Sequence, residues 1–267
     1  MWNMDFISEN DFRTHVENTI KAYVDNLVSC DMKTFNKNIV DPIKLIFDKS
    51  VYDFNWAEII KNEIFRQRDK SNNNSIGYYH QKIFNFIADC EVPQQGWDVI
   101  YQPDGGVDLP SNQHVSRVFV EMKNKHNTMN SASAAKTYIK MQSQLLEDDD
   151  CACLLVEAIA KQSQNKKWDI SIDGELKSHS RIRRVSLDRF FALVTGDKDA
   201  FYKICVALPD TIDYVLATVP EVQAPLDTVM EDLLAMAGGD ESSIPVALYS
   251  LAFSGYTGFS DMQAKNE

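Results

Sequence analysis

Between Asn10 and Ser29 the apolar residues Phe12, Val16, Ile20, Tyr23, Val24 and Leu27 recur at helical spacing and line one face. Asp41-Pro42 opens a second helix: an aspartate caps the free amides of the first turn, and proline at the first helical position gives up a donor that has no partner there anyway. Asn55 to Arg68 and Ser75 to Cys90 read as two more, with the polar run Ser71-Asn72-Asn73-Asn74 as a loop between them. The period then shortens. Gly96 to Gln102 reads as a strand, Pro103-Asp104-Gly105-Gly106 as a turn, and Arg117 to Lys123 as a second strand. Ser131 to Leu146 is helical in pattern, Cys151 to Ala160 is an apolar central strand, and Trp168 to Ile172 is a short strand before an Asp173-Gly174 turn. Ser186 caps a helix through Val194, Asp197 to Leu208 follows as another, and the tail holds helices near Leu226–Ala237 and Pro245–Phe253. This order predicts an α/β fold with a mixed β-sheet flanked by helices. We expect a single domain with a helical region over 1–92, a core over 93–209 and an acidic helical region over 210–267.

No apolar stretch approaches the roughly 20 residues needed to span a bilayer, and the first residues lack the basic and apolar regions of a signal peptide. The expectation is a cytoplasmic protein with no membrane association. Five scattered cysteines, Cys30, Cys90, Cys151, Cys153 and Cys205, read as buried free thiols in a reducing compartment. No phosphate-binding glycine loop or dinucleotide fingerprint occurs, so no nucleotide cofactor is expected.

A net charge of -12 argues at first against a polyanionic partner. Its distribution changes that judgement. From Asp210 to Glu267 there are ten acidic residues and one lysine, a net of -9 that leaves only -3 for the rest of the chain. Between Arg117 and Gln144 five basic residues face Glu121 alone, and between Lys177 and Arg189 five more face Asp188. Local field, rather than the whole-molecule sum, steers a polyanion.

The first of these basic runs contains the strand Val118-Phe-Val-Glu-Met-Lys123. Strand side chains alternate, so Glu121 and Lys123 share a side while Met122 points into packing. A buried strand end does not carry a carboxylate and an ammonium without cause, because desolvating charge is costly. Asp108 lies thirteen positions before Glu121, beyond a turn-like segment. Two acids and a lysine at one spot form a divalent-metal site with an amine beside it, which is the chemistry of phosphodiester hydrolysis. Asp108, Glu121 and the carbonyl of Met122 would hold Mg²⁺, and Lys123 would orient the attacking water or offset charge on the phosphate.

Pro103-Asp104, Asp108 and Glu121-Met122-Lys123 resemble the PD-(D/E)XK nuclease superfamily. The longer run Glu121-Met-Lys-Asn-Lys-His-Asn-Thr-Met-Asn130 is similar to type II restriction endonucleases that cut GGNCC. The resemblance implies a restriction-endonuclease-like core, Mg²⁺ dependence, a homodimer and cleavage of double-stranded DNA at a short palindromic site. It makes Asp104 the literal family acid, although Asp108 better fits the Gly-Val-Asp form leading into the motif strand and Asp104 reads as a turn residue. It also makes Glu58 and Glu63, on a helix, possible extra acids. A repair or junction nuclease with the same site, and a non-catalytic DNA-binding protein on the same scaffold, stay open beside this reading.

DNA contacts are expected from the polar stretch after the motif strand, Asn124, Lys125, His126, Asn127, Thr128 and Asn130, the last doubling as a helix cap. Lys136 and Lys140 lie four apart on the next helix and could reach backbone phosphates. Arg181, Arg183 and Arg184 form a second candidate surface, since arginine pairs bidentately with guanine in the major groove; balancing phosphate charge, or pairing with the acidic tail of the same protein, is the alternative.

Overall fold

The computed structural model describes residues 2–110, 112–218 and 225–256. The amino-terminal periodicity forms α1 (Glu9–Asp25), which buries Phe12 and Val16. A short α2 (Met32–Phe35) follows, capped by Asp31 on the Thr34 amide. α3 (Pro42–Tyr52) starts where Asp41-Pro42 predicts, with the Asp41 side chain accepting from the Lys44 amide. Next comes α4 (Trp56–Lys82), one unbroken helix of 27 residues. The expected loop at Ser71–Asn74 is therefore helical. Serine and asparagine cost only a few tenths of a kcal/mol each in a helix, and Asn72 and Asn73 take side-chain partners, Asn26 and Asp69.

The sheet region comprises β1 (Cys90–Glu91), β2 (Val99–Tyr101), β3 (Val107–Leu109), β4 (Gln113–Val115) and β5 (Arg117–Lys125), then α5 (Ser131–Glu147) and β6 (Cys151–Ile159). It continues with β7 (Asn165–Lys167), β8 (Ile170–Ile172), β9 (Glu175–Lys177) and β10 (Ile182–Ser186), and is followed by α6 (Leu187–Thr195), α7 (Ala200–Leu216), α8 (Val229–Met236) and α9 (Ile244–Ala252). Asp173 and Gly174, both at positive φ, form the turn between β8 and β9, the conformation a two-residue hairpin requires. α7 passes through Pro209 and extends beyond its predicted end.

Packing divides the chain into two units interleaved in sequence. One holds residues 1–21 and 74–220, the other 22–73 and 221–267. The polar stretch Ser71–Asn74 does mark a boundary, but between packing units rather than between helices. The second unit has its own core, in which Phe35, Leu45, Trp56 and Ile60 meet Leu233 and Leu248. Part of the acidic region, 219–224 and 257–267, lies outside the described residues.

The first unit is built on a six-stranded mixed sheet of order β1-β2-β5-β6-β10-β7. β5, β6 and β10 run parallel in its centre, and β2 and β7 flank them antiparallel. The wholly apolar run 151–156 becomes β6, the central strand, whose residues are buried through Glu157, as a strand covered on both faces should be. On one face Val118, Val120, Met122, Leu154 and Val156 pack with Phe190 and Phe191 of α6 and with Phe12 of α1. On the other, Phe119, Cys153 and Leu155 pack under Tyr138, Met141 and Leu145 of α5. The five cysteines are free; Cys30, Cys151 and Cys153 are buried as expected, but Cys90 is half-buried and Cys205 exposed. Among the described residues no helix is long and apolar enough to cross a membrane.

Candidate active site

The alternation read from the sequence holds on β5. Val118, Val120 and Met122 enter one apolar face, while Phe119, Glu121 and Lys123 share the other. Lys123 Nζ donates to Glu121 Oε1 at 2.7 Å. The Glu121 side chain is 17% exposed and that of Lys123 29%, so both ions sit at a partly desolvated strand end.

The acid brought to this end is Asp98. β2 pairs antiparallel with β5 with Val99 opposite Val120, so Asp98, the residue before β2, comes alongside the part of β5 that leads into Glu121. The Asp98 amide donates to the Val120 carbonyl at 2.9 Å, and its carboxylate accepts from the Met122 amide at 2.6 Å. Burial raises the Asp98 carboxyl above its ordinary range; the Met122 N–H pulls the other way, and the charge of Glu121 adds to the rise. Burial also pushes the Glu121 carboxyl up, but hydrogen bonds from Lys123 and Lys140 outweigh it and hold the group below the usual carboxylate range. Two adjacent carboxyls are thus driven apart in acidity, a pattern that clusters at functional sites.

Asp108 sits elsewhere, in the two-stranded β3–β4 hairpin. Val107 and Leu109 are buried there, whereas the Asp108 side chain is 92% exposed and bonded to His114 Nδ1 at 2.8 Å. The His114 ring lies against Gly106, where an added Cβ would stand 2.4 Å from Nε2. Asp104 is an exposed turn residue beside Gly105, as its residue chemistry predicts. Glu58 closes a reciprocal cap with Asn55 at the start of α4. Glu63 is 4% exposed and engaged by Arg66 and Gln67. Both glutamates belong to the second unit.

Lys140 is also placed differently from expectation. Instead of turning outward with the exposed Lys136, its ammonium contacts Glu121 Oε2 at 2.7 Å and the Gly96 carbonyl at 2.6 Å. It also lies 4.0 Å from the centre of the Trp97 ring. The indole N–H donates to Gln144 at 3.0 Å, fixing the ring along α5.

The expected base-reading arginines are spent within the protein. Arg183 is 6% exposed and donates to the Asn165 side chain and carbonyl at 2.6 and 2.9 Å. Arg181 bonds the Asp149 and Cys151 carbonyls. Arg184 pairs with Glu157, itself 1% exposed, and donates to the His126 carbonyl at 2.7 Å. A charge run on a strand does not reveal which carbonyls lie within reach, so the sequence alone leaves DNA contact and the plainer roles both open. β5 runs on through the half-buried Asn124 and the exposed Lys125; in the loop after it Asn127 and Thr128 are exposed and His126 is half-buried, and Asn130 caps α5 on the Ser133 amide. Thr128 Oγ bonds the Lys125 carbonyl.

Asp98, Trp97 and Glu157 are site residues that the sequence pattern did not single out. An acid at the start of the predicted 96–102 strand was the available signal; antiparallel pairing with the motif strand turns that strand start into a neighbour of Glu121.

Magnesium takes one or two protein carboxylates and completes its octahedron with water and phosphate oxygens. Asp98 and Glu121 match that donor set, and among the described residues no larger cluster of ligating side chains occurs. The Met122 amide points toward Asp98. The N–H and C=O of a strand residue face the same edge, so its carbonyl faces the same side.

A sequence profile of the Eco47II restriction endonuclease family matches residues 4–217, which include Asp98, Glu121, Lys123 and Lys140. The chain is similar to the type II restriction enzyme Sau96I of Staphylococcus aureus, 29% identical over 222 residues, 79% of this chain and 81% of that enzyme. It is also similar to the type II restriction enzyme Eco47II of Escherichia coli, 28% identical over 224 residues, 80% of this chain and 88% of that enzyme.

Proposed function

From the premise that the chain belongs to the Eco47II restriction endonuclease family, we propose that it hydrolyses both strands of duplex DNA at a short palindromic site with Mg²⁺, as a cytoplasmic homodimer with a PD-(D/E)XK site. The observation that carries this is the meeting of Asp98, Glu121 and Lys123 where β2 begins and β5 extends beyond it. Asp98, Glu121 and the Met122 carbonyl would hold the ion, and Asp98 replaces Asp108 in that role. Bound there, Mg²⁺ supplies an acidified water and offsets charge on the phosphate. Lys123 carries its ammonium beside Glu121 and stabilises the charge that develops on the scissile group. Lys125, Asn127, Thr128 and Lys136 are exposed beside this strand end and its helix, and contact the duplex at phosphates or base edges. Two-fold symmetry of the protein matched to a palindrome accounts for cutting both strands with one site per subunit. The GGNCC preference rests on the resemblance of Glu121 to Asn130.

Incubation with a plasmid and Mg²⁺, followed by sequencing of the ends, tests the reading. Discrete fragments whose ends map to GGNCC, absent when the metal is chelated, are the expected result. A smear or structure-selective nicks would transfer the site to a repair-type nuclease. Site-specific binding in Ca²⁺ with no cutting in Mg²⁺ would make the protein a non-catalytic binder.

A further inference from the structure

Both oxygens of Glu121 are taken by ammonium groups: Oε1 by Lys123 and Oε2 by Lys140, each at 2.7 Å. The motif strand supplies only the first. The second comes from α5, nineteen residues on, and is not a loose surface lysine. Its position is fixed by the Gly96 carbonyl and by the Trp97 face. Trp97 in turn is held by Gln144 and by the Phe119 ring at 5.4 Å. A cation over an indole face is attracted by the ring's quadrupole, so several contacts favour the ammonium where it blocks one carboxylate oxygen.

The formal charges of Asp98, Glu121, Lys123 and Lys140 sum to zero. A divalent ion arriving alone would leave the cluster at +2 in a partly desolvated place, and would compete with Lys140 for Oε2. A phosphodiester arriving with it brings negative charge to the same spot and offers the displaced ammonium a new partner. We infer that Lys140 is a gating cation: it keeps Glu121 closed to a divalent metal until duplex DNA is bound, so that metal and DNA loading depend on each other. The inference rests on the assignment of Asp98 and Glu121 as the metal-holding pair. Lys140 acts through Glu121 and is a positioning residue. By linkage, the factor by which DNA strengthens metal binding equals the factor by which metal strengthens DNA binding.

The test reads Mn²⁺ binding to the full chain by the electron paramagnetic resonance of the free ion, with and without a GGNCC duplex carrying phosphorothioate linkages at the scissile bonds. Without DNA, Lys140→Met is expected to bind Mn²⁺ about tenfold more tightly than the unaltered protein, within the usual range of coupling between sites. Lys140→Gln should do the same. Lys140→Arg, which keeps the charge, should stay near the original value, and Lys166→Met, removing an exposed charge on β7, should not move it. With the duplex, the unaltered protein should tighten toward the variants, whose own response to DNA shrinks. Equal or weaker DNA-free binding by both Lys140→Met and Lys140→Gln overturns the gate, as does an undiminished response to DNA in them. Adding Glu121→Gln to Lys140→Met should abolish the gained affinity. If that double variant keeps it, or if no protein binds Mn²⁺, the assignment of the metal pair fails, and the gate with it.

Discussion

The two faces of the strands β5, β6 and β10 are built from the same backbone and differ in what they can carry. Under α6 and α1 the face is hydrocarbon from Val118 and Ala152 through Met122 and Val156, with the buried guanidinium of Arg183 at its margin. Under α5 it begins equally apolar with Phe119, Cys153 and Leu155, then turns charged at the strand ends: Glu121 and Lys123 on β5, Glu157 on β6, Arg184 on β10. The difference lies in partners. Each charge on the α5 side has an opposite charge within reach, Lys123 and Lys140 for Glu121 and Arg184 for Glu157. Arg183 on the other face has no opposite charge and is held instead by the Asn165 side chain and by backbone carbonyls; a charge with neither kind of partner is too costly to bury. Reactive groups collect where the helical cover runs out and the strands still end side by side.

The largest effect separates the acid on this sheet from the one outside it. Asp98→Asn or Glu121→Gln is expected to lower the rate of DNA cleavage about a thousandfold, as befits several kcal/mol of lost metal assistance. Asp108→Asn should change it by less than about threefold. Comparable losses at positions 98 and 108 in single-turnover assays would break the assignment. A second effect tests whether pairing is what lets the α5 face hold charge. Glu157→Ala strands the Arg184 guanidinium, and urea titration should show a loss of about 3 kcal/mol, the lower end for a broken buried pair. Arg183→Ala should likewise act on stability and leave the salt slope of DNA binding unchanged; a shallower slope would return that residue to the DNA surface.

The smallest effect comes from the hydrocarbon side, where His15 is 3% exposed and its ring lies tilted against Tyr79 with centroids 4.5 Å apart. Burial lowers its pKa from 6.5 to about 4, and the neighbouring His80 is lowered to about 4 by the same cause. A lowered histidine is neutral in the folded chain while the unfolded chain takes up a proton. Its contribution is therefore intact above pH 6.5 and disappears as pH falls toward 4. His15 should account for about 2 kcal/mol of the loss by pH 5. His15→Phe should flatten the dependence of thermal stability on pH in that window, and an unchanged profile would mean that the ring is charged where it lies.

Local signals carried much of this in the sequence. The period-two alternation of β5, the unbroken apolar run of β6, the Asp41-Pro42 start of α3 and the Asn130 cap of α5 are each decided by residues next to one another. The same holds for Glu121 and Lys123, two apart on one strand. What was not legible depends on register and reach. Asp98 is 23 residues from Glu121 in sequence and comes beside it only because Val99 pairs with Val120; thirteen residues made Asp108 look nearer. Lys136 and Lys140 share a helical face by spacing, yet only Lys140 meets a carboxylate. The run Ser71–Asn74 has loop composition, but composition does not overrule a helix extended from both sides at so small a cost per residue.

The bond from Arg184 to the His126 carbonyl ties the segment after the motif strand to a strand two places away in the sheet. Anyone randomising this enzyme to change which sequences it cuts would be tempted to include that arginine. Replacing it would release the loop's anchor and scramble every contact made from there at once, so such a library should hold position 184 constant and vary Lys125, Asn127 and Thr128.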